Sequence, residues 1–239
     1  MRINLGYDRH GQAVVWDTDR SAMLNIIGAE GTGKSTLIDR IMTQADRRMA
    51  VTRIDAENRP TPSPTIMTFT HRQTENVTDV LERVEAEQKR RTKGVDADMK
   101  PLMLVVDDFD RLLAEASHST GDRDATERCK TILRTLSRIL ALARATGISL
   151  LIAEQSYETT RETLRRLVGQ TCLCDAGSHI ILGTAAIGDP IRPGNRDHAS
   201  TLAAAVSTDG VTLPVGAGIL QTNSGGIRDL RTPSPNEGI

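Results

Sequence analysis

Residues Gly28–Ala29–Glu30–Gly31–Thr32–Gly33–Lys34–Ser35 satisfy the pattern G-x-x-x-x-G-K-[ST] at every required position, and a second hydroxyl, Thr36, follows. Such a stretch has one demanding task. Its backbone N–H groups must turn inward around a chain of phosphates, through angles that glycine adopts without steric cost. Lys34 can then reach the β- and γ-phosphates, and the Ser35 hydroxyl can take a place in a magnesium shell. At ordinary glycine frequencies the pattern arises by chance in only about one chain in a hundred of this size. Residues Gly28 to Thr36 therefore read as the binding loop for a nucleoside triphosphate, ATP with Mg2+.

A second acidic element is expected opposite that loop. The apolar run LMLVV leads straight into Asp107 and Asp108. In an open parallel sheet, ligands bind beyond the carboxyl ends of the strands. An acid emerging there can hold magnesium through water while its neighbour polarises an attacking water. Asp107 is assigned to magnesium. Asp108 is the first candidate for general base, although hydrolases of this type usually carry the longer glutamate at that position. Glu154, which closes the run ISLLIA, is the second candidate, and Gln155 beside it is placed to sense the γ-phosphate or orient water. Asp110, ahead of RLLAEA, suits a helix N-cap.

These residues need a scaffold that brings strand ends together. MLNIIG is a short apolar run ended by glycine, a buried strand, and from Lys34 to about Ala45 the residues Leu37, Ile38, Ile41 and Met42 recur at helical spacing. MAVTRID, PLMLVVDD, ISLLIAEQ and SHIILGT read as further strands. Helices are expected from about Gln73 to Arg91, over RCKTILRTLSRILALARA with Gly147 as its C-cap, and over TTRETLRRLVG, opened by threonine. AENRPTPSPT, ASHSTGDRDATE and IGDPIRPGNRD read as loops, and HASTLAAAV as a short helix. INLGYDRHGQAVVWDTD and GAGILQTNSGGIRDLRT read as short antiparallel hairpins at the two ends of the chain. Strands alternating with helices along the whole length imply an α/β fold with a mostly parallel central sheet flanked by helices. One domain over residues 1–232 is expected, with 233–239 as a flexible tail.

Composition narrows the class without choosing a function. The 239 residues are 38% hydrophobic but only 2% aromatic, so the core must be aliphatic. Lysine plus arginine number 30 against 31 acids, which gives no global positive field toward nucleic acid. The three cysteines, Cys129, Cys172 and Cys174, lack zinc-ligand spacing and read as reduced thiols of a cytosolic protein. No apolar run approaches the length of a membrane span, and the N-terminal stretch is not a signal peptide.

Beyond the phosphate loop, VVDDFDRLL and ARATGISLLIAEQ carry a more specific likeness. With the closing GAGILQ, they resemble the FtsK/SpoIIIE branch of the FtsK–HerA ATPases over about residues 3 to 230. That branch includes chromosome translocases, conjugative DNA-transfer proteins and type VII secretion ATPases. The resemblance implies a RecA-like P-loop NTPase fold, assembly as a ring of six subunits, and nucleotide held between neighbours. It assigns Lys34 and Ser35 to nucleotide and magnesium, Asp107 to magnesium, Asp108 to the general base and Gln155 to the sensor. VEAEQKRRTKG resembles a family segment whose arginine reaches into the adjacent subunit, which makes Arg91, then Arg90, candidate arginine fingers. Aspartate at 108 and glutamate at 154 depart from the family pattern, and the winged-helix and membrane segments of chromosome translocases are not found in this sequence.

The resemblance thus implies an ATP hydrolase that translocates double-stranded DNA without reading its sequence, as a hexamer, in chromosome or conjugative transfer. The alternatives are a motor for type VII-like protein secretion, or a nucleotide-gated assembly module with little turnover. A bacterial cytoplasmic location is expected, with a separate membrane-anchoring or DNA-targeting partner.

Overall fold

The structure is a computed structural model that describes residues 1–55, 60, 62–63, 65–70, 74–94, 99–118, 123–169, 173, 176–183, 215–224 and 226–233. The loop expected at 187–197, the short helix at 198–206, Cys172, Cys174 and nearly all of the 233–239 tail lie outside them.

Ten strands form one sheet: β1 (Arg2–Tyr7), β2 (Ala13–Asp17), β3 (Met23–Ile27), β4 (Ala50–Asp55), β5 (Met67–Thr70), β6 (Leu102–Val106), β7 (Ile148–Glu154), β8 (Ser178–Leu182), β9 (Ala217–Gln221) and β10 (Ile227–Arg231). Their spatial order is β2-β1-β10-β9-β8-β3-β7-β6-β4-β5. The run from β8 to β5 is parallel throughout, and the remaining pairs are antiparallel. This is the expected RecA-like arrangement, in which one strand, β7, separates the phosphate-loop strand β3 from the acidic strand β6. The two terminal hairpins do form, but side by side. Tyr7 of β1 pairs with Arg231 of β10, so both extend the same edge of the sheet.

The central strands are buried on both faces, as their unbroken apolar runs require. One face packs against α1 (Lys34–Asp46), which offers Leu37, Ile38, Ile41, Met42 and Ala45 to Leu24, Ile26, Val51, Met103, Val105, Leu151 and Ala153. The other face carries α2 (Thr74–Thr92), α3 (Phe109–His118), α4 (Arg123–Leu142) and α5 (Tyr157–Val168), packed on Ile27, Ile54, Leu104, Val106, Leu150 and Ile152. Because side chains alternate along a strand, these two clusters reveal where each strand-end residue points.

Met67–Thr70, for which no element was expected, is the edge strand β5; four residues are too few for periodicity to declare. Two local expectations are corrected. The segment between α3 and α4 is shorter than the polar composition of ASHSTGDRDATE implies, since α3 runs to His118 and α4 starts at Arg123. The cap of α5 is Ser156, whose hydroxyl accepts from the Thr159 N–H at 3.4 Å, rather than a threonine. Gly147 does close the α4 region, after a 3-10 turn over Arg144–Thr146, with φ 64°.

Candidate functional site

β3 delivers the chain into the glycine loop, and the Gly28 N–H donates to the Glu154 carbonyl at the end of β7. The loop then doubles back on itself: the Thr32 hydroxyl donates to the Ala29 carbonyl at 2.8 Å. Gly31 and Gly33 have φ of 78° and 97°, a region that residues with a Cβ enter at a cost. Gly28 is needed for space instead, because a Cβ there would lie 2.7 Å from Thr32 Oγ1. α1 begins immediately after Gly33, so the positive end of its dipole lies at the loop. The Lys34 ammonium is buried and donates to the carbonyls of Gly28 and Ala29, which holds it over the loop. Ser35 and Thr36 are half-buried in the first turn, while Ala29, Glu30 and Gly31 are exposed along the rim.

Asp107 emerges from β6 on the face shared with α1, since its neighbour Val106 belongs to the opposite cluster. It is 1% exposed. One carboxylate oxygen, Oδ1, accepts from the Asp108 N–H at 3.0 Å, and the other, Oδ2, from Arg53 Nη2 at 2.8 Å. Asp108 is half-buried with φ 54°, the one non-glycine residue with positive φ among the described residues. Its carbonyl receives the N–H groups of Arg111 and Leu112, so Asp108 stands at the N-cap position of α3. Asp110, expected to cap, lies within the first turn and accepts from the backbone N–H of Gln155 at 3.3 Å. This contact ties α3 to the end of β7, and Gln155 itself is exposed there.

Glu154 does not join this group. Ile152 packs on the α2–α5 face and Ala153 on the α1 face, so alternation sends the Glu154 side chain, 1% exposed, to the side away from α1 and Asp107. As a strand-end residue it was correctly located. Which face it takes depends on the pleat.

Arg91, the first candidate arginine finger, is bonded within its own chain. Its side chain is 8% exposed, and its guanidinium donates to Glu87, to the Thr146 carbonyl and to the Lys100 carbonyl, each at 2.9 Å. Lys100 and Thr146 precede β6 and β7, so Arg91 braces the end of the sheet opposite to Asp107 and Gln155. Arg90 is more open, 43% exposed, and also pairs with Glu87 at 2.9 Å. The two arginines hold the Glu87 carboxyl down at about 2, the hydrogen bond from Arg90 contributing most.

Two buried charges beside Asp107 escaped the reading of the sequence. Arg53 and Asp55 lie two apart on β4, a strand read only as MAVTRID, and are 1% and 0% exposed. Two charges spaced i, i+2 in a run otherwise fit for burial were the available signal. The donor set suits magnesium: Ser35 and Asp107 offer hard oxygen atoms on the side of the sheet where the phosphate loop opens.

The model of the family described as AAA domain matches residues 18–161, from the turn after β2 into the first residues of α5. The chain belongs to that family. It is an AAA-type P-loop ATPase domain. No curated protein matches the chain significantly. Among solved structures it is similar to the pCW3 conjugation coupling protein TcpA in a monomer form with ATPγS, at TM-score 0.67 and 17% identity, over 97% of this chain and 65% of that one. The cytoplasmic domain of the Thermomonospora curvata type VII secretion ATPase EccC aligns at TM-score 0.63 and 18% identity, over 99% of this chain and 26% of that one. VirB4 of Thermoanaerobacter pseudethanolicus aligns at TM-score 0.62 and 13% identity, over 98% and 97%. At these identities the likeness establishes the fold, in agreement with the resemblance to the FtsK–HerA branch. This AAA domain spans about a quarter of the EccC chain and about two thirds of TcpA. Among the described residues no helix is long and apolar enough to cross a membrane.

Proposed function

We propose that this AAA domain, residues 1–232, hydrolyses ATP as the motor core of a ring hexamer that moves double-stranded DNA in chromosome or conjugative transfer. The observation that carries the hydrolytic part is the position of Asp107. It leaves the sheet on the face of α1, with one strand between it and the loop that holds Lys34. In this reading the Gly28–Thr36 loop binds the phosphates and Lys34 neutralises them. Ser35 and Asp107 would hold magnesium, which would supply charge neutralisation to the phosphates when bound. Asp108, at the bend into α3, accepts the proton of the attacking water, and Gln155 orients that water. Arg91, then Arg90, are the candidates for the role in a neighbouring subunit, and Arg90 is the more exposed of the two.

The DNA part rests on the resemblance in VVDDFDRLL and ARATGISLLIAEQ and on the fold shared with a conjugation coupling protein. A second reading, a motor for protein export, draws on a specific neighbour. Thermomonospora curvata EccC ATPases 2 and 3, solved in complex with a signal sequence peptide, share the fold at TM-score 0.62 over 41% of that chain. Turnover measured at moderate salt with and without long linear duplex DNA decides between them. Stimulation by DNA supports translocation, and its absence together with stimulation by an export peptide supports secretion. Nucleotide binding without turnover under either condition refutes both in favour of a nucleotide-gated module.

A further inference from the structure

Arg53 occupies an unusual place for an arginine. It is 1% exposed inside the sheet face covered by α1, and its Nε and Nη1 have no hydrogen-bond acceptor among the described residues. Charge holds it there rather than saturated hydrogen bonding. Nη2 lies 2.9 Å from Asp55 Oδ2 and 2.8 Å from Asp107 Oδ2, and Nη1 lies 3.8 Å from Asp39 Oδ1. Asp39 follows Ser35 by four residues, so the two share a face of α1 one turn apart. The guanidinium therefore spans the gap between the two elements that carry the oxygen donors for magnesium, α1 with Ser35 and β6 with Asp107. Both short contacts are made by Nη2, whose two hydrogens are held in the guanidinium plane, a direction that the rotating ammonium of a lysine does not impose.

We propose that Arg53 is a positioning residue for the magnesium site of this domain, and that Asp55 is its anchor. Arg53 fixes Asp107 through Oδ2 while the Asp108 N–H fixes Oδ1, so the carboxylate has one orientation relative to α1. The arrangement resembles the outer-shell partners that orient metal-binding carboxylates elsewhere, where removing the partner weakens metal affinity about tenfold or more. This inference rests on the ATPase reading given above.

The test uses the full chain and two variants that leave the charge of the Arg53–Asp55–Asp107 cluster unchanged. Arg53→Lys keeps the cation and loses the planar guanidinium that aims Nη2 at both carboxylates. The double variant Arg53→Met with Asp55→Asn replaces a buried ion pair by a neutral one, an exchange that folded proteins commonly tolerate. Binding of a fluorescent ATP analogue is measured first in EDTA, then as a function of Mg2+, with melting temperature recorded for each protein. Affinity in EDTA should stay within about twofold of the parent, while the Mg2+ concentration giving half of the metal-dependent gain should rise about fivefold to tenfold. An unchanged Mg2+ dependence in either folded variant would reduce Arg53 to a structural counter-ion. Failure of the parent itself to bind the analogue would instead overturn the ATPase reading and this inference with it, so the two failures are told apart by the parent measurement alone.

Discussion

The Gly216 N–H donates to the carbonyl of Thr32 at 2.9 Å, joining the turn before β9 to the middle of the phosphate loop. Gly33 closes the same contact, since a Cβ on it would lie 3.1 Å from Gly216 N and 3.2 Å from Val215 Cγ1. The loop is thus braced by a strand pair from the far end of the chain. Gly216 has φ 81°, and a Cβ there would meet the Thr232 carbonyl at 2.9 Å. Gly216→Ala should weaken binding of an ATP analogue about tenfold, with a loss of roughly 1–3 kcal/mol of stability from the strained backbone. Isothermal titration and thermal melting of the same preparation read the two effects separately.

Lys34→Ala removes both the ammonium over the loop and its bonds to the carbonyls of Gly28 and Ala29. Nucleotide binding or hydrolysis should be abolished while circular dichroism stays that of the parent. Normal turnover in this variant would remove the assignment of the loop.

Asp108 combines a strained backbone with a chemical role. Asp108→Gly relieves the cost of φ 54°, worth on the order of 1 kcal/mol, and deletes the carboxylate. The melting temperature should hold or rise while turnover falls about 10²–10⁴-fold, the usual worth of a general base. Retained turnover would transfer the base role elsewhere.

Arg53→Met alone leaves Asp55 and Asp107 buried without their shared cation. Removing one member of a buried ion cluster costs about 3–5 kcal/mol. Urea unfolding should show this loss, and adding Asp55→Asn should recover part of it.

Glu87 links stability to pH. Its carboxyl is lowered from 4.5 to about 2 by Arg90 and then Arg91. A depressed folded value means that the unfolded chain takes up the proton first. The contribution of this pair is therefore complete above pH 4.5 and is lost progressively as pH falls through about 2. Glu87→Gln should lower the melting temperature at pH 7 and match the parent near pH 2. Arg91→Ala should lower it further at neutral pH, because the carbonyls of Lys100 and Thr146 lose their donor as well.

The phosphate loop was legible because everything it needs lies in one contiguous stretch. Glycines at 28, 31 and 33, the start of a helix at Lys34 and an apolar strand before them are local properties. Asp107 was legible for a related reason: an apolar run ending in an acid places that acid at a strand end whatever the rest of the sheet does. Local pattern also marked most helices, whose apolar residues repeat over three turns or more.

Tertiary structure alone decided which of the candidates meet. Arg53 and Asp107 are 54 positions apart, and only the parallel pairing of β4 with β6 brings them together. Glu154 and Asp107 both end strands, yet the pleat sends them to opposite faces, a distinction of one residue in register. Arg91 has the sequence context of an exposed helix end, but the carbonyls that capture it belong to turns before β6 and β7. Spacing along the chain specifies backbone angles and burial pattern, which are short-range. The pairing of charges across strands depends on sheet order and twist, set by the packing of the whole core.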